Sequence, residues 1–318
     1  MIEYYQFVGG TITQVDTLEE DCWVSVVAPN PEEREWLSTQ LGVVPEFAAA
    51  ALDDEERSHV DYDEDERQTL IIVDCPFVED RAETMDPTTT QYDTHPLSIL
   101  LLPKRKLFVT VTLRYNETIH SLSKRARGNP LGRHPKLLLD VLMKVARRYL
   151  TALRDIDRQF KANERVLRSD LRNDELIKML GLEKSLVYFS TSLKGNEIVL
   201  EKLLRMNFVR DYPEDTDLLE DVIIENKQAM EMCAIYRDIM SGTMDAFASI
   251  ISNNLNIVMK LLAAVTIILT VPTIVFGLWG TNVPVPFEHS PFGFWIVTAI
   301  ALVLMVGAFL LMYKKKMF

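Results

Sequence analysis

Cysteine is scarce: three occur in 318 residues. Cys22, Cys75 and Cys233 lie far apart, with neither the even count nor the short spacings of a disulfide framework or a zinc site. That suits a reducing compartment and predicts three free thiols packed in cores as small hydrophobes. The chain also lacks a glycine-rich phosphate loop, a nucleophile motif and a histidine-rich metal constellation, so nothing points to an enzyme or a nucleotide site. Basic residues are rare in the first hundred positions, which hold 24 acidic and 4 basic side chains for a net −20, against +8 over the remainder. A nucleic acid partner demands the opposite balance. The acidic surface is either simply solvated or draws cations. Met1 to Val15 has neither a basic start nor an apolar run before small residues, which predicts an amino terminus that stays in the cytoplasm.

Two charge-free apolar stretches stand near the other end, Leu261 to Trp279 and Phe292 to Tyr313. At 1.5 Å per residue each is long enough for a hydrocarbon core of about 30 Å. Lys260 precedes the first and Lys314, Lys315 and Lys316 follow the second, while Gly280 to Pro291 carries no lysine or arginine. The positive-inside rule therefore places both termini in the cytoplasm, the short connection outside, and Trp279 and Trp295 in the outer aromatic belt of the plasma (inner) membrane.

The region before the spans alternates short β-rich runs (Tyr4 to Val8, Thr11 to Val15, Trp23 to Val27, Leu70 to Val73, Leu97 to Leu102, Leu107 to Leu113) with helical patterns, an α/β layout. Asn30-Pro31-Glu32-Glu33 is a helix start, with a cap, a first-turn proline and acids against the helix dipole. That helix should run to about Leu41, and a second from Pro45 to Leu52. Pro103 to Lys106 reads as a hairpin turn. Gly128-Asn129-Pro130, with Gly132 and Pro135, marks the end of the α/β region.

From Pro135 to Met206 two long helices should lie antiparallel, broken at Arg172-Asn173-Asp174; a third begins after Tyr212-Pro213 and meets no firm stop before Trp279. The expected division is an α/β domain at 1–133, a stalk of long cytoplasmic helices at 134–257, a first transmembrane helix at 258–280, an external loop at 281–291, a second transmembrane helix at 292–313 and a basic tail at 314–318.

One face of the first span repeats Asn256, Met259, Ala263, Thr266, Thr270, Thr273, Gly277 and Gly280 at steps of three and four, all small or polar except Met259. Such a stripe faces either a closely packed helix or a water-filled path, because hydroxyls and amides facing lipid are poorly satisfied. Two spans with one such helix cannot enclose a path alone, so the chain should form a homo-oligomer in the bilayer.

Ser252-Asn253-Asn254-Leu255-Asn256-Ile257-Val258-Met259-Lys260, Pro272-Thr273 and Gly277-Leu278-Trp279-Gly280-Thr281-Asn282 resemble the pore helix and signature loop of the CorA family of magnesium and divalent metal ion transporters. Tyr236 to Gly242, the long helices and the two-span ending with its lysines extend the likeness. That family usually ends its first span in Tyr-Gly-Met-Asn; here Trp279 supplies the aromatic and Thr281 stands at the methionine position. Zinc-transporting ZntB-like relatives also vary there.

The resemblance implies a CorA-like homopentamer that passes hydrated Mg²⁺, with Co²⁺, Ni²⁺ or Zn²⁺ as further candidates. Gly280, Thr281 and Asn282 would be its selectivity filter, Asn256 and Thr273 further polar rings, and Met259 and Leu262 an apolar constriction, unless those two merely pack between helices. Mg²⁺ gives up water reluctantly, and neutral oxygens that hydrogen-bond its hydration shell suit it. Glu288 would either concentrate cations at the outer mouth or be a solvated loop charge. Position matching puts Asp221 on the family's intersubunit Mg²⁺ sensor; alanines align where its partner acid is expected, so either Asp53 or Asp54 takes that place or the site is absent. A zinc transporter on the same fold and a membrane-tethered scaffold without transport are the alternative functions.

Overall fold

The computed structural model describes residues 1–8, 11–79, 89–125, 134–169, 173–206, 213–287 and 290–315. They form two compact units, Met1–Ser241 and Gly242–Phe318. The glycine and proline cluster at 128–132, Arg172, Glu288 and Lys316 lie outside the described residues.

The first unit is built on a seven-stranded sheet of β1 (Ile2–Val8), β2 (Thr11–Val15), β3 (Cys22–Val27), β4 (His59–Asp63), β5 (Gln68–Val78), β6 (Tyr92–Leu102) and β7 (Leu107–Thr112). Their spatial order is β2-β1-β3-β7-β6-β5-β4. Among the described residues only β3 and β7 pair in parallel, with Trp23 opposite Phe108 and Val27 opposite Thr112; the other pairs are antiparallel. The central strands are nearly continuous apolar runs because both faces of the sheet are covered.

One face presents Val24, Val26, Leu70, Ile72, Leu100, Val109 and Val111 to α1 (Pro31–Thr39) and α2 (Pro45–Ala51), whose Leu37, Phe47 and Ala48 complete that core with Leu41 from the segment between them. The alternation of two along each strand selects these residues. Asn30 closes a full capping box: its Oδ1 accepts the Glu33 N–H at 2.8 Å, and the Glu33 carboxylate accepts the Asn30 N–H at 2.9 Å. Removing such a cap costs about 1 kcal/mol.

The opposite face carries α4 (His134–Ser169) and α5 (Asn173–Arg205). They run antiparallel: Asp74 meets Tyr149 and Asn196, Tyr92 meets Asp155 and Ser185, and the neighbouring Thr90 and Gln91 meet Gln159 and Gly181. A Cβ at Gly181 would crowd the end of the Gln91 side chain, which lies between α5 and the sheet. α6 (Pro213–Trp279) adds Leu219, Val222, Ala229 and Cys233 to the same side, with Asn226 Nδ2 donating to Leu193 O at 3.1 Å. All three cysteines are free and buried, as expected.

Two elements escape the sequence reading. β4 is a polar edge strand, His-Val-Asp-Tyr-Asp, without an apolar run, and α3 (Glu117–Arg125) is a short helix rich in threonine, serine and histidine. Tertiary pairing and packing rather than propensity hold both.

In the second unit α6 continues without a break through Gly242 and Pro272 to Trp279, followed by α7 (Gly293–Lys314). Both helices contain a window long and apolar enough to cross a membrane. They pack through Val275, Val297 and Ala301, with Trp279 partly buried beside them.

Candidate functional site

The buried positions of α6 within its apolar stretch, Ala264 and Val275, mark the side turned to the interior of the unit. At 100° per residue, Ala263, Thr266, Thr270, Thr273 and Gly277 lie roughly 120–180° around the helix from Val275. They are exposed, as are Asn256, Met259 and Leu262 below them. Exposed Phe276 and Leu278 lie about 60° beyond that arc on either side, while Leu269 and Ile274 border it.

The threonines share one geometry. Thr266 Oγ1 donates to Leu262 O at 2.8 Å, Thr270 Oγ1 to Thr266 O at 2.7 Å and Thr273 Oγ1 to Leu269 O at 3.0 Å. Each hydroxyl thus spends its single proton on the backbone four residues back. What remains on the outer surface is lone pairs, an acceptor-only stripe. Thr281 does the same at the helix end, donating to Leu278 O at 2.8 Å. Acceptors suit the outward hydrogens of water bound to a cation.

The loop after α6 is tied back at several points. Gly280 N–H donates to Phe276 O at 2.8 Å, which closes the last turn. Trp279 Nε1 donates to Pro286 O at 2.9 Å, so the indole expected in an aromatic belt also fastens the loop. Phe287 takes a left-handed backbone (φ 68°), and a Cβ on Gly293 would fall 2.4 Å from Phe287 O. The first residue of α7 must therefore be glycine for the loop to close in this way. Asn282 is exposed within it. The roles of Pro286, Phe287 and Gly293 were not apparent in the sequence; the one available signal was a glycine opening an apolar helix.

The regulatory candidates all belong to the first unit and are all exposed. Asp53 Oδ1 accepts the Glu55 N–H at 2.9 Å within its turn, and Asp54 stands 3.7 Å from Arg114. Asp221 lies on α6. Among the described residues no three His, Cys, Asp or Glu side chains stand close enough to hold a metal ion within one chain.

Comparison with known proteins gives a consistent picture. The family model described as CorA-like Mg²⁺ transporter protein matches residues 19–316. The cobalt/magnesium transport protein CorA of Methanocaldococcus jannaschii is 30% identical over 288 residues, 89% of this chain and 87% of that protein. That of Thermotoga maritima is 30% identical over 150 residues, 42% of each chain. The complete structure of the M. jannaschii CorA magnesium transporter superposes with a TM-score of 0.82 at 26% identity, covering 98% of this chain and 96% of that one. With sequence and fold matching over nearly the whole length, the chain belongs to the CorA-like Mg²⁺ transporter family, a family of membrane transporters and not of enzymes.

Proposed function

We propose that the chain forms a homo-oligomeric pathway for hydrated Mg²⁺, and for Co²⁺ by likeness to relatives named as cobalt/magnesium transporters. The α6 stripe lines the path, Gly280, Thr281 and Asn282 form the outer filter, and Met259 and Leu262 form the constriction nearer the cytoplasm. The observation that carries this reading is the acceptor-only stripe of Thr266, Thr270 and Thr273, which turns lone pairs outward on the otherwise apolar final stretch of α6. Neutral acceptors hold water hydrogens without stripping the ion, which a small, reluctantly dehydrating cation requires. Five subunits in the plasma membrane, both termini cytoplasmic, and the division at residues 133, 257, 280, 291 and 313 belong to the same proposal, as does Glu288 at the mouth.

The test is uptake into proteoliposomes by wild type and Asn282→Ala, with Mg²⁺, Co²⁺, Ni²⁺ and Zn²⁺ supplied separately. Mg²⁺ flux in wild type that collapses in the variant is the expected result; undiminished flux in the variant removes Asn282 from the filter. Thr281 in place of methionine favours zinc transport as the second reading, and flux of Zn²⁺ alone would select it.

Asp221 with Asp53 or Asp54 of a neighbouring subunit is proposed as an internal Mg²⁺ sensor, supported by the exposure of all three carboxylates. Asp221→Ala should then conduct at internal Mg²⁺ that silences wild type. Identical inhibition of the two proteins excludes Asp221 from sensing.

A further inference from the structure

A cleft of about 390 Å³ opens in the first unit at the carboxyl end of β7, where the chain turns into α3. Phe77, His95, Arg114, Tyr115, Glu117 and Arg148 are among its lining residues.

Asn116 sets the tautomer of His95. Its Oδ1 accepts the N–H groups of Thr118 at 2.9 Å and Ile119 at 3.3 Å, so its Nδ2 is the donor that faces His95 Nε2 at 3.4 Å. His95 Nε2 is then the acceptor, and the single ring proton sits on Nδ1. Burial keeps the ring neutral, its pKa pushed down to about 4. His95 is 3% exposed, yet Nδ1 meets no acceptor in the protein. An unmet buried donor costs about 1–3 kcal/mol.

The two guanidinium groups are also incompletely engaged. Arg114 lies over the Phe77 ring, 5.2 Å from its centroid, and its carboxylate neighbour Asp54 is 3.7 Å away, beyond hydrogen-bond range. Arg148 pairs with Glu117 at 2.6 Å. Both carboxylates are exposed, 50% for Asp54 and 61% for Glu117, and exposed pairs of this kind contribute about 1 kcal/mol or less. A ligand can displace them at little cost.

We propose that this cleft binds a small molecule through a phosphate or carboxylate group, held by Arg114 and Arg148 in front of the buried His95 ring. Planar guanidinium groups match oxyanions with paired hydrogen bonds. Phe77 and Tyr115 supply an apolar wall for the rest of the ligand, for which the cleft has room beyond a bare oxyanion. Asp54, the neighbour of Arg114, is also a candidate for the proposed Mg²⁺ sensor, so the two sites share a carboxylate.

The test is calorimetric titration of full-length protein in detergent with inorganic phosphate, glycerol phosphate and succinate, beside Arg114→Gln, Arg148→Gln and Arg105→Gln. Arg105 is an exposed arginine outside this cleft. Saturable binding of one anion, weakened about tenfold or more by Arg114→Gln and Arg148→Gln and unchanged in Arg105→Gln, is expected. The preferred anion identifies phosphate or carboxylate as the recognised group. The bound anion should also raise the melting temperature of wild type and not of Arg114→Gln. No saturable binding up to about 10 mM, or equal affinity in wild type and Arg114→Gln, overturns the proposal.

Discussion

Replacing Gly277 by leucine separates the three surroundings open to the α6 stripe. A Cβ built on Gly277 meets nothing within 4 Å of the same chain, and the same is true of Gly307 on α7. Judged by one chain, both positions have room, and replacing a mid-helix glycine with a good helix former stabilises a helix by about 1 kcal/mol. If both positions face lipid, Gly277→Leu and Gly307→Leu should be equally harmless. If Gly277 packs against a neighbouring subunit, each leucine overfills that contact at a cost of about 1–3 kcal/mol, or roughly 5–15 kcal/mol over a ring of five, and the oligomer should fall apart. If Gly277 faces the ion path, assembly survives and flux stops, because the side chains project into water rather than into a neighbour. The assays are size-exclusion chromatography with light scattering for assembly, and an Mg²⁺-sensitive dye inside proteoliposomes for flux. The expectation is intact assembly with flux lost in Gly277→Leu and retained in Gly307→Leu. Wild-type flux in Gly277→Leu would refute the pore assignment of the stripe.

Asn196 is the polar pin between α5 and the sheet: its side chain accepts from Asp74 N–H at 2.8 Å and Ser58 Oγ at 3.1 Å and donates to Asp74 O at 2.9 Å. Asn196→Ala leaves the Asp74 N–H unmet while Tyr149 still serves the carbonyl, so thermal or denaturant unfolding should show a loss of about 2–4 kcal/mol. A loss under about 0.5 kcal/mol would contradict the accounting. His95 titrates at about 4 in the fold against an ordinary 6.5, so the unfolded chain binds the extra proton between those values. Its contribution, on the order of 3 kcal/mol, is complete above pH 6.5 and disappears as pH falls towards 4. Melting curves at pH 7.5 and pH 5 should therefore separate less in His95→Phe than in wild type, and equal separation would discount the buried histidine.

The sequence by itself determined the elements whose signals are local. Proline and acids after Asn30 start α1, and the apolar runs of Leu70 to Val73 and Leu107 to Leu113 read as strands. Charge-free length marks the two terminal helices, and Gly280-Thr281-Asn282 after a polar stripe marks the family. These follow from the backbone period and from the cost of placing a polar group in an apolar medium, both of which act on neighbours along the chain. Tertiary structure alone decided what depends on distant residues meeting. The parallel pairing of β3 with β7 across α1, α2 and three other strands is one such case. The polar edge strand β4, stabilised by β5 rather than by its own residues, is another. So is the meeting of His95, Arg114 and Arg148 in one cleft, and the tie from Trp279 to Pro286 that fastens the loop after α6. No period or propensity encodes these, because each contact is stabilised by burial and hydrogen bonding that exist only after the fold has brought its partners together.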